Sequence, residues 1–282
     1  MKASLDGGFT CPNIDGKCGT YGCTYCTSGA SEFTKKGSIT AQLKAERDRI
    51  YKKYGETPLI AYFQSHTNTY ASVEVLKEKF EEALSFPNVC ALSIATRADC
   101  LEEDKIKYLK GLSQRTDLTV ELGLQTTNDA VAEECNRCHS YKVFEDAFLR
   151  LKEAKIRTCV HIINGLYNET SKDMINTAKI LGQLSPDGVK IHLLHIMRGT
   201  VMEKEYLEGK ITPMTYENYI ETVCHQLRCL PPRCVIERIT GDGSKENLIA
   251  PRWSIDKIRV LGGIDKFMAD NNFYQGDLYS LD

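Results

Sequence analysis

The sequence lacks any apolar run that approaches the ~20 residues needed to span a bilayer as a helix. Its first ten residues, MKASLDGGFT, also lack the apolar stretch of a secretory signal peptide. We therefore expect a cytoplasmic protein without a membrane partner, whose 12 cysteines are reduced thiols. The disulfide framework of a small secreted protein is the less favoured interpretation for a chain of 282 residues.

The sequence also lacks a strong net charge of either sign. The formal net charge is −2 and the pI is near 6.3, so no global positive field attracts nucleic acid. This argues against a dedicated nucleic-acid-binding module, and we expect no DNA partner. A local patch can still hold an RNA substrate. The candidate residues for such a patch lie on one predicted helix: Lys44, Arg47, Arg49, Lys52 and Lys53. The plainer interpretation is that they form the solvated face of that helix.

What the chain does contain is a cysteine-rich loop, CPNIDGKCGTYGCTYC, running from Cys11 to Cys26. Three of its thiols, those of Cys11, Cys23 and Cys26, stand in a C-x11-C-x2-C arrangement. The glycines between them allow the backbone to wrap around an inorganic core. Soft thiolate ligands select iron–sulfur clusters or zinc over hard cations. Because Cys18 can supply the fourth ligand that a closed zinc site needs, the spacing alone leaves both groups open.

Short apolar runs and amphipathic segments alternate along the rest of the chain. Strands are predicted at residues 3–5, 58–63, 89–94, 118–124, 156–163 and 189–195. Helices are predicted at residues 38–54, 72–84, 102–112, 129–135, 141–154, 171–184, 202–208 and 215–230. Six such β-then-α units force a parallel sheet with right-handed crossovers, and their number favours a barrel or part of one.

The segment after Pro231-Pro232 departs from this alternation. A strand is predicted at residues 234–239, followed by the polar, glycine-containing loop TGDGSKENLIAPRW and a closing helix at residues 255–268. We find no internal repeat or flexible linker. The simplest division is therefore a core barrel over residues 1–230 and a C-terminal extension over residues 231–282.

Polar residues cluster at the predicted carboxyl ends of the strands, which is where parallel barrels carry their chemistry. The five segments read FQSHTNT, ATRAD, GLQT, HIINGLYNET and HLLHIMRGT. Ser, Thr, Asn and Asp at such places are ordinary helix caps. That interpretation does not account for Gln64, Gln125, His161 and His195, which are not cap residues.

In the order and spacing of these motifs the chain resembles the radical S-adenosylmethionine (SAM) superfamily, in particular YhcC/YtqA-type proteins similar to the radical SAM domain of the Elongator catalytic subunit. The motifs are LDGGFTCPNIDG, GCTYC, AYFQSHTNTYA, LSIATRADCL, VELGLQT, NRCH, GVKIHLLHIMRGT, and TGDG with LIAPRWS. The resemblance implies an α/β fold, an incomplete (β/α)6 TIM-type barrel with a short C-terminal extension.

The resemblance also implies a [4Fe–4S] cluster on Cys11, Cys23 and Cys26 that leaves one iron open for SAM. An electron from the cluster then cleaves SAM to methionine and a 5′-deoxyadenosyl radical, which abstracts hydrogen from a substrate. The implied electron donor is a flavodoxin or a ferredoxin. In this interpretation Cys18 is a bystander, and the alternative is a zinc-binding structural or scaffold protein that uses the same loop.

The resemblance also implies SAM-binding residues, namely those at positions of this sequence that match SAM-binding motifs of the family. The similarity to oxygen-independent coproporphyrinogen oxidase is used for this as well. The segment from Gln64 to Thr67 matches the motif that meets the SAM amino group, although it lacks that motif's glycines. The other implied contacts are Tyr25 within the C-x2-C pair, Gln125 and Arg137 at the carboxylate, His161 at the ribose, and Ile163 to Glu169 with His195 to Met197 beside the adenine.

The substrate is the least determined part. Similarity to the Elongator branch makes a tRNA base the leading hypothesis, with a small metabolite or a peptide as rivals. We expect substrate contacts from polar residues that the fold can bring to the barrel mouth: Arg97, Arg238, Thr240, Asp242 and Arg252. The alternative is that their segments only close the barrel. A further set, Cys224, Cys229 and Cys234, holds either part of a second cluster or plain buried thiols.

Overall fold

A computed structural model describes residues 1–27, 37–241 and 244–280 of the chain. The strands are β1 Lys2–Leu5, β2 Leu59–Phe63, β3 Val89–Arg97, β4 Asp117–Gln125, β5 Arg157–Asn164, β6 Gly188–Leu193, β7 Ile196–Met197, β8 Val235–Arg238 and β9 Leu248–Ala250. The helices are α1 Ile39–Tyr54, α2 Val73–Leu84, α3 Glu103–Ser113, α4 Asp129–Glu134, α5 Tyr141–Glu153, α6 Ser171–Leu184, α7 Val201–Leu207, α8 Tyr216–Cys229 and α9 Lys257–Asp270.

The helix boundaries follow from local capping chemistry, which is why the sequence predicts them well. The Ser38 hydroxyl accepts a hydrogen bond from the Ala41 N–H at the start of α1, and Gly55 ends that helix with φ of 75°. A capping box, formed by Thr170 and Asp173, starts α6. The predicted positions of α1 and α6 are therefore confirmed.

The first compact unit contains Met1–Tyr21, Gly29–Gly123 and Lys142–Thr158. Its strands pair in parallel in the order β1, β2, β3, β4. In this register Leu5 lies opposite Phe63, so the residues that follow β1 and β2 emerge side by side. The predicted β-then-α alternation is confirmed here.

A buried carboxylate links the four strands of this unit. Glu121 of β4 accepts hydrogen bonds from the Lys2 ammonium of β1 at 2.7 Å, the Tyr62 hydroxyl of β2 at 2.9 Å and the Ser93 hydroxyl of β3 at 2.5 Å. A buried carboxylate is tolerated only when it is paired and hydrogen-bonded in this way. Glu121 thus stabilises the parallel pairing from inside the unit.

The second compact unit contains Gly22–Ser28, Leu124–Tyr141 and Cys159–Asp282. Its strands β5, β6 and β8 pair in parallel in that order, so the strand predicted within the C-terminal extension joins the strands of the core. The division at residues 230 and 231 stays a prediction. Among the described residues, no helix has the length and apolar composition that crossing a membrane would need.

One prediction about this unit is wrong in detail. The strand predicted at residues 189–195 ends at Leu193, and β7 after it pairs antiparallel with β9. The second of these short strands lies inside the segment predicted to be a polar loop. Strands of two and three residues carry too few side chains for an alternating pattern to be visible in the sequence.

Replacement of either of two helical glycines by alanine is expected to change the free energy of unfolding, in opposite directions at the two positions. A Cβ at Gly182 of α6 would lie 2.3 Å from the Cys229 carbonyl oxygen, whereas a Cβ at Gly111 of α3 would meet no heavy atom within 4 Å. We expect Gly182→Ala to lower the free energy of unfolding by about 1–3 kcal/mol through overpacking. Gly111→Ala should raise it by about 1 kcal/mol because it removes backbone freedom from the unfolded chain. Urea denaturation measures both, and a stable Gly182→Ala variant would contradict the close helix contact.

Candidate functional site

The residues predicted to act in the site fall in both compact units. The first unit contains Cys11, Gln64, Thr67 and Arg97. The second contains Cys23, Tyr25, Cys26, Gln125, Arg137, His161, His195, Met197, Arg238, Thr240 and Arg252. Asp242, which was also predicted to contact substrate, lies outside the described residues.

In the first unit the Cys11 sulfur lies among polar groups that follow β2. The buried Thr67 hydroxyl donates to it at 3.0 Å, and the His66 Nδ1 lies 3.9 Å from it. A hydrogen bond to sulfur favours the thiolate, which is the form that binds metal. Sequence reasoning placed Thr67 at SAM and missed its contact with Cys11. The contact follows from the parallel pairing of β1 with β2, because this pairing places the segment after β1, which contains Cys11, beside the segment after β2, which contains Thr67.

Two further predicted residues of the first unit already have polar partners. The Gln64 carboxamide oxygen accepts from the Ser4 hydroxyl at 3.2 Å. The Arg97 guanidinium makes a two-pronged contact with Asp99, with N···O distances of 2.9 and 2.8 Å, and its side chain is 12 % exposed. Its proposed contact with substrate stays a prediction, and in this geometry Asp99 supplies its counter-charge.

In the second unit the C-x2-C segment forms a turn, in which the Cys26 N–H donates to the Cys23 carbonyl at 2.9 Å. Between the two cysteines, the Thr24 N–H donates to the Cys135 carbonyl at 3.1 Å, and the Met202 N–H donates to the Thr24 carbonyl at 3.1 Å. Backbone hydrogen bonds on both sides therefore fix the segment that carries these two thiols.

A tyrosine hydroxyl adds a side-chain anchor to the same segment. Tyr167 lies 3.0 Å from both the Thr24 hydroxyl and the Glu205 carboxylate. Its φ of 33° is rare for a residue with a side chain. Backbone strain of this kind persists only where the surrounding contacts enforce it, and it is concentrated at functional sites.

Tyr25 lies between the two cysteines and packs on an apolar cluster that includes Leu166, Leu194 and Met202. Burial raises its pKa well above the ordinary value, and the neighbouring Cys23 thiol raises it further through charge and a hydrogen bond. The phenol therefore stays protonated beside the Cys23 sulfur.

The Arg137 guanidinium is buried, with 1 % of the residue exposed, and it is directed at protein carbonyls. It donates to the carbonyls of Leu124, Thr126 at 2.7 Å and His139 at 3.0 Å, and it lies 3.3 Å from the Asp129 carboxylate. These contacts fasten the loop that follows α4 to the end of β4. Its role at the SAM carboxylate stays a prediction.

Gln125 is the last residue of β4 and lies within the backbone that Arg137 fastens. Its φ is 64°, in the left-handed region that a glutamine rarely occupies. The flanking carbonyls of Leu124 and Thr126 are the ones that accept from Arg137. Arg137 therefore stabilises the unusual conformation of a residue predicted to bind SAM.

Glu169, at the end of the segment predicted beside adenine, is expected to make stability depend on pH. Burial raises its pKa to about 7, although the Thr126 hydroxyl donates to it and opposes the shift. Because this folded-state pKa lies above the ordinary value of a glutamate, the folded chain binds more protons than the unfolded chain between the two values. The free energy of unfolding should then fall by about 1–3 kcal/mol as pH rises from about 5 to about 8.

A Glu169→Gln variant should lose this pH dependence, because a carboxamide still accepts from Thr126 but does not ionise. Chemical denaturation at several pH values measures the difference. The matched control is Glu134→Gln, since Glu134 is exposed on α4. A slope that persists unchanged in Glu169→Gln would show that other groups cause it.

Two histidines, in β6 and directly after it, carry neutral imidazoles. The rings of His161 and His192 have centroids 5.3 Å apart. Burial, followed by His161 and Arg238, lowers the pKa of His192 well below its ordinary value, and burial with Lys257 lowers that of His195 to about 4. His192 and His195 are therefore neutral, and Met197 of β7, two residues after His195, is buried.

The remaining residues predicted to contact substrate lie on the segments around β8 and β9. Arg238 is the last residue of β8, and Thr240 is buried just beyond it. The exposed Arg252 donates to the Leu248 carbonyl at 2.6 Å and thereby holds β9. Their substrate contacts stay predictions.

The other cysteines behave as separate thiols. Cys18 is exposed. Cys224, Cys229 and Cys234 are buried, and burial raises the pKa of Cys224 and Cys234 to about 12. Five residues along α8 turn the chain by about 140°, so Cys224 and Cys229 leave the helix in different directions. These observations favour the interpretation as buried thiols.

Comparison with known proteins gives consistent matches. The chain matches the Radical SAM superfamily over residues 15–181 and the Radical_SAM C-terminal domain over residues 186–270. It is 43 % identical to the protein YtqA of Bacillus subtilis (strain 168) over 282 residues, which covers 99 % of this chain and 88 % of that protein.

A shorter match joins the chain to an enzyme that acts on tRNA. It is 27 % identical over 155 residues to the tRNA uridine(34) acetyltransferase of Methanocaldococcus infernus, covering 54 % of this chain and 28 % of that protein. In fold it is similar to Elp3 of the same organism, with a TM-score of 0.74 and 19 % identity over 97 % of this chain and 63 % of that one. The likeness in fold, with the match in family, confirms the predicted α/β fold class, an incomplete TIM-type barrel.

Proposed function

The chain belongs to the radical SAM superfamily and is an enzyme, and from this premise we propose that Cys11, Cys23 and Cys26 hold a [4Fe–4S] cluster for the cleavage of SAM. When bound, the cluster supplies the electron that cleaves SAM to methionine and a 5′-deoxyadenosyl radical. The proposal for the three ligands rests on the spacing of the cysteines and on the family.

The observation that carries this proposal is the polar environment of the Cys11 sulfur. The Thr67 hydroxyl donates to the Cys11 sulfur at 3.0 Å, and the His66 Nδ1 lies 3.9 Å from the same sulfur. Hydrogen bonds to thiolate sulfurs stabilise their negative charge and tune the reduction potential of an iron–sulfur cluster. The residues present therefore fit a thiolate-bound group.

Residues of the second unit are proposed to bind SAM without adding charge near the adenine. His195 is neutral, Met197 is buried, and Tyr25 presents a protonated phenol on an apolar cluster. Such surfaces suit an aromatic base. Gln125 is proposed to contact the SAM carboxylate, His161 the ribose, and Gln64 of the first unit the amino group.

Anaerobic reconstitution with iron and sulfide tests the proposal directly. After reduction in the presence of SAM, we expect formation of 5′-deoxyadenosine and methionine in equal amounts. A protein that binds tight zinc instead, holds no iron–sulfur cluster and cleaves no SAM would support the zinc-binding scaffold. The electron donor in the cell is proposed to be a flavodoxin or a ferredoxin, and either can replace the chemical reductant in the assay.

For the substrate we propose a base of tRNA, supported by the match to a tRNA uridine(34) acetyltransferase. Nucleosides of tRNA from cells with and without the gene can be compared by mass spectrometry. A nucleoside that changes and is restored by the wild-type gene would identify the base. Binding of that tRNA should weaken steeply with salt, because phosphate contacts release counterions. Unchanged tRNA nucleosides would leave a small metabolite or a peptide as the substrate.

A further inference from the structure

Two segments of the second compact unit are expected to hold opposite ends of SAM. The C-x2-C turn at residues 23–26 carries two of the proposed cluster ligands, and residues 163–169, the adenine-side segment, are predicted to lie beside the adenine. SAM joins a methionine part, which the open iron of the cluster is expected to bind, to an adenosine part. The spacing between the turn and the adenine-side segment therefore decides whether one molecule can engage both.

The adenine-side segment is fixed to the rest of the unit near both of its ends. The carboxamides of Asn164 and Gln226 exchange two hydrogen bonds of 2.8 Å, and both residues are buried. The Gln226 carboxamide also donates to the Met174 carbonyl at 2.9 Å. At the other end, the Glu169 side chain accepts from the Thr126 hydroxyl. The position of the segment is therefore set by β5, α6 and α8, and by the residue that follows β4.

The C-x2-C turn is fixed to other segments of the unit. The Thr24 N–H donates to the Cys135 carbonyl at 3.1 Å, and the Asn136 carboxamide donates to the Gly22 carbonyl at 2.6 Å. The Met202 N–H, in the first turn of α7, donates to the Thr24 carbonyl at 3.1 Å. These three bonds hold the turn to the segment after α4 and to α7. They leave its spacing from the adenine-side segment to be set by another contact.

The Tyr167 side chain, from the middle of the adenine-side segment, makes that contact. Its hydroxyl lies 3.0 Å from the Thr24 hydroxyl and 3.0 Å from the Glu205 carboxylate of α7. Because a phenol both donates and accepts hydrogen bonds, it can hold both partners at once. Tyr167 also packs, with Tyr25, on the apolar cluster that includes Leu166. Its φ of 33° shows that these contacts hold the backbone in a rare conformation.

We propose that Tyr167 is a positioning residue for SAM, which sets the spacing between the C-x2-C turn and the adenine-side segment so that one SAM molecule engages both. The inference rests on the proposed function and adds a residue to it. Two linked half-ligands bind far more tightly than the separate halves, provided that the geometry lets both engage at once. A change in the spacing should therefore weaken the binding of SAM while each half of the site stays intact.

Binding of SAM and of its two halves tests this role. The reconstituted protein, with its cluster kept oxidised so that SAM is not cleaved, would be titrated anaerobically with SAM, with methionine and with 5′-deoxyadenosine. Tyr167→Phe keeps the ring and removes the hydroxyl that contacts Thr24. We expect this variant to bind SAM about tenfold more weakly than the wild-type protein. Its affinities for methionine and for 5′-deoxyadenosine should be unchanged.

Matched variants show whether the contact with Thr24 is responsible. Tyr206→Phe is the control, because Tyr206 packs on the same apolar cluster and also loses only a hydroxyl, and this variant should bind SAM as the wild-type protein does. Thr24→Val removes the other side of the contact and should weaken SAM binding to a similar degree. The double variant of Thr24→Val with Tyr167→Phe should lose little more than either single variant. Iron and sulfide content, measured before each titration, separates a lost cluster from a weakened site.

Two results would overturn the inference while the proposed function stands. One is an unchanged SAM affinity in Tyr167→Phe. The other is a parallel loss of affinity for SAM, methionine and 5′-deoxyadenosine, because it would show that the hydroxyl only supports the local fold. Failure of the wild-type protein to bind SAM and to form 5′-deoxyadenosine after reduction would instead count against the proposed function, and no result with the Tyr167 variant has that meaning.

Discussion

Replacement of any one of Cys11, Cys23 and Cys26 by alanine is expected to abolish formation of 5′-deoxyadenosine. Each change leaves two thiolates, which is too few to hold a [4Fe–4S] cluster with a single open iron. The loss should appear both as missing iron–sulfur absorption after reconstitution and as missing SAM cleavage. Iron and sulfide content of each variant, measured beside its activity, separates loss of the cluster from a defect in chemistry.

The matched control for this series is Cys18→Ala. Cys18 stands in the same loop and is exposed, and its N–H donates to the Pro12 carbonyl at 2.9 Å, a backbone contact that alanine keeps. We expect this variant to retain the cluster and the activity. If Cys18→Ala instead loses its metal as completely as the other three, four thiols bind it, and the zinc-binding scaffold becomes the better interpretation.

A milder change tests the environment of Cys11 in the same assay. The Thr67 hydroxyl is the donor at 3.0 Å from its sulfur, and valine has nearly the same shape without that donor. In the Thr67→Val variant we therefore expect the cluster to assemble. The reduction potential of the cluster should fall, because the Cys11 sulfur loses a stabilising hydrogen bond. The cysteine variants test which residues are the ligands of the cluster. The Thr67→Val variant tests how the protein sets the reduction potential of the cluster.

The sequence predicts the fold well wherever the local chemistry is explicit. Ser38 and Gly55 at the ends of α1, and Thr170 with Asp173 at the start of α6, are capping residues whose effect depends on their neighbours along the chain. The spacing of Cys11, Cys23 and Cys26 is equally local. These features need no knowledge of which strands pair.

What the sequence does not reveal depends on tertiary contacts. Glu121 sits in an apolar run, and only the pairing of β1 to β4 shows that Lys2, Tyr62 and Ser93 surround it. The contact of Thr67 with Cys11 likewise follows from the register of β1 and β2. Polar groups that are satisfied across strands leave no periodic signal, so they are found only once the topology is known.

Arg137→Met is expected to lower the free energy of unfolding by about 3–5 kcal/mol. The guanidinium is buried and donates to the carbonyls of Leu124, Thr126 and His139, so its loss leaves several buried acceptors without a partner. Urea denaturation measures the change. Arg150→Met, which alters an exposed arginine of α5, should cost little. Equal stability of the two variants would show that the carbonyl contacts contribute nothing.

Arg137→Lys then separates the two roles considered for this residue. An ammonium keeps the charge but cannot reproduce the planar fork that reaches several carbonyls, so the turn at Gln125 should loosen. If Arg137 acts on SAM through Gln125, this variant and Gln125→Ala should lower SAM affinity to a similar degree, and their effects should not add in the double variant. Additive losses would indicate that the guanidinium contacts the SAM carboxylate itself, independently of the turn it stabilises.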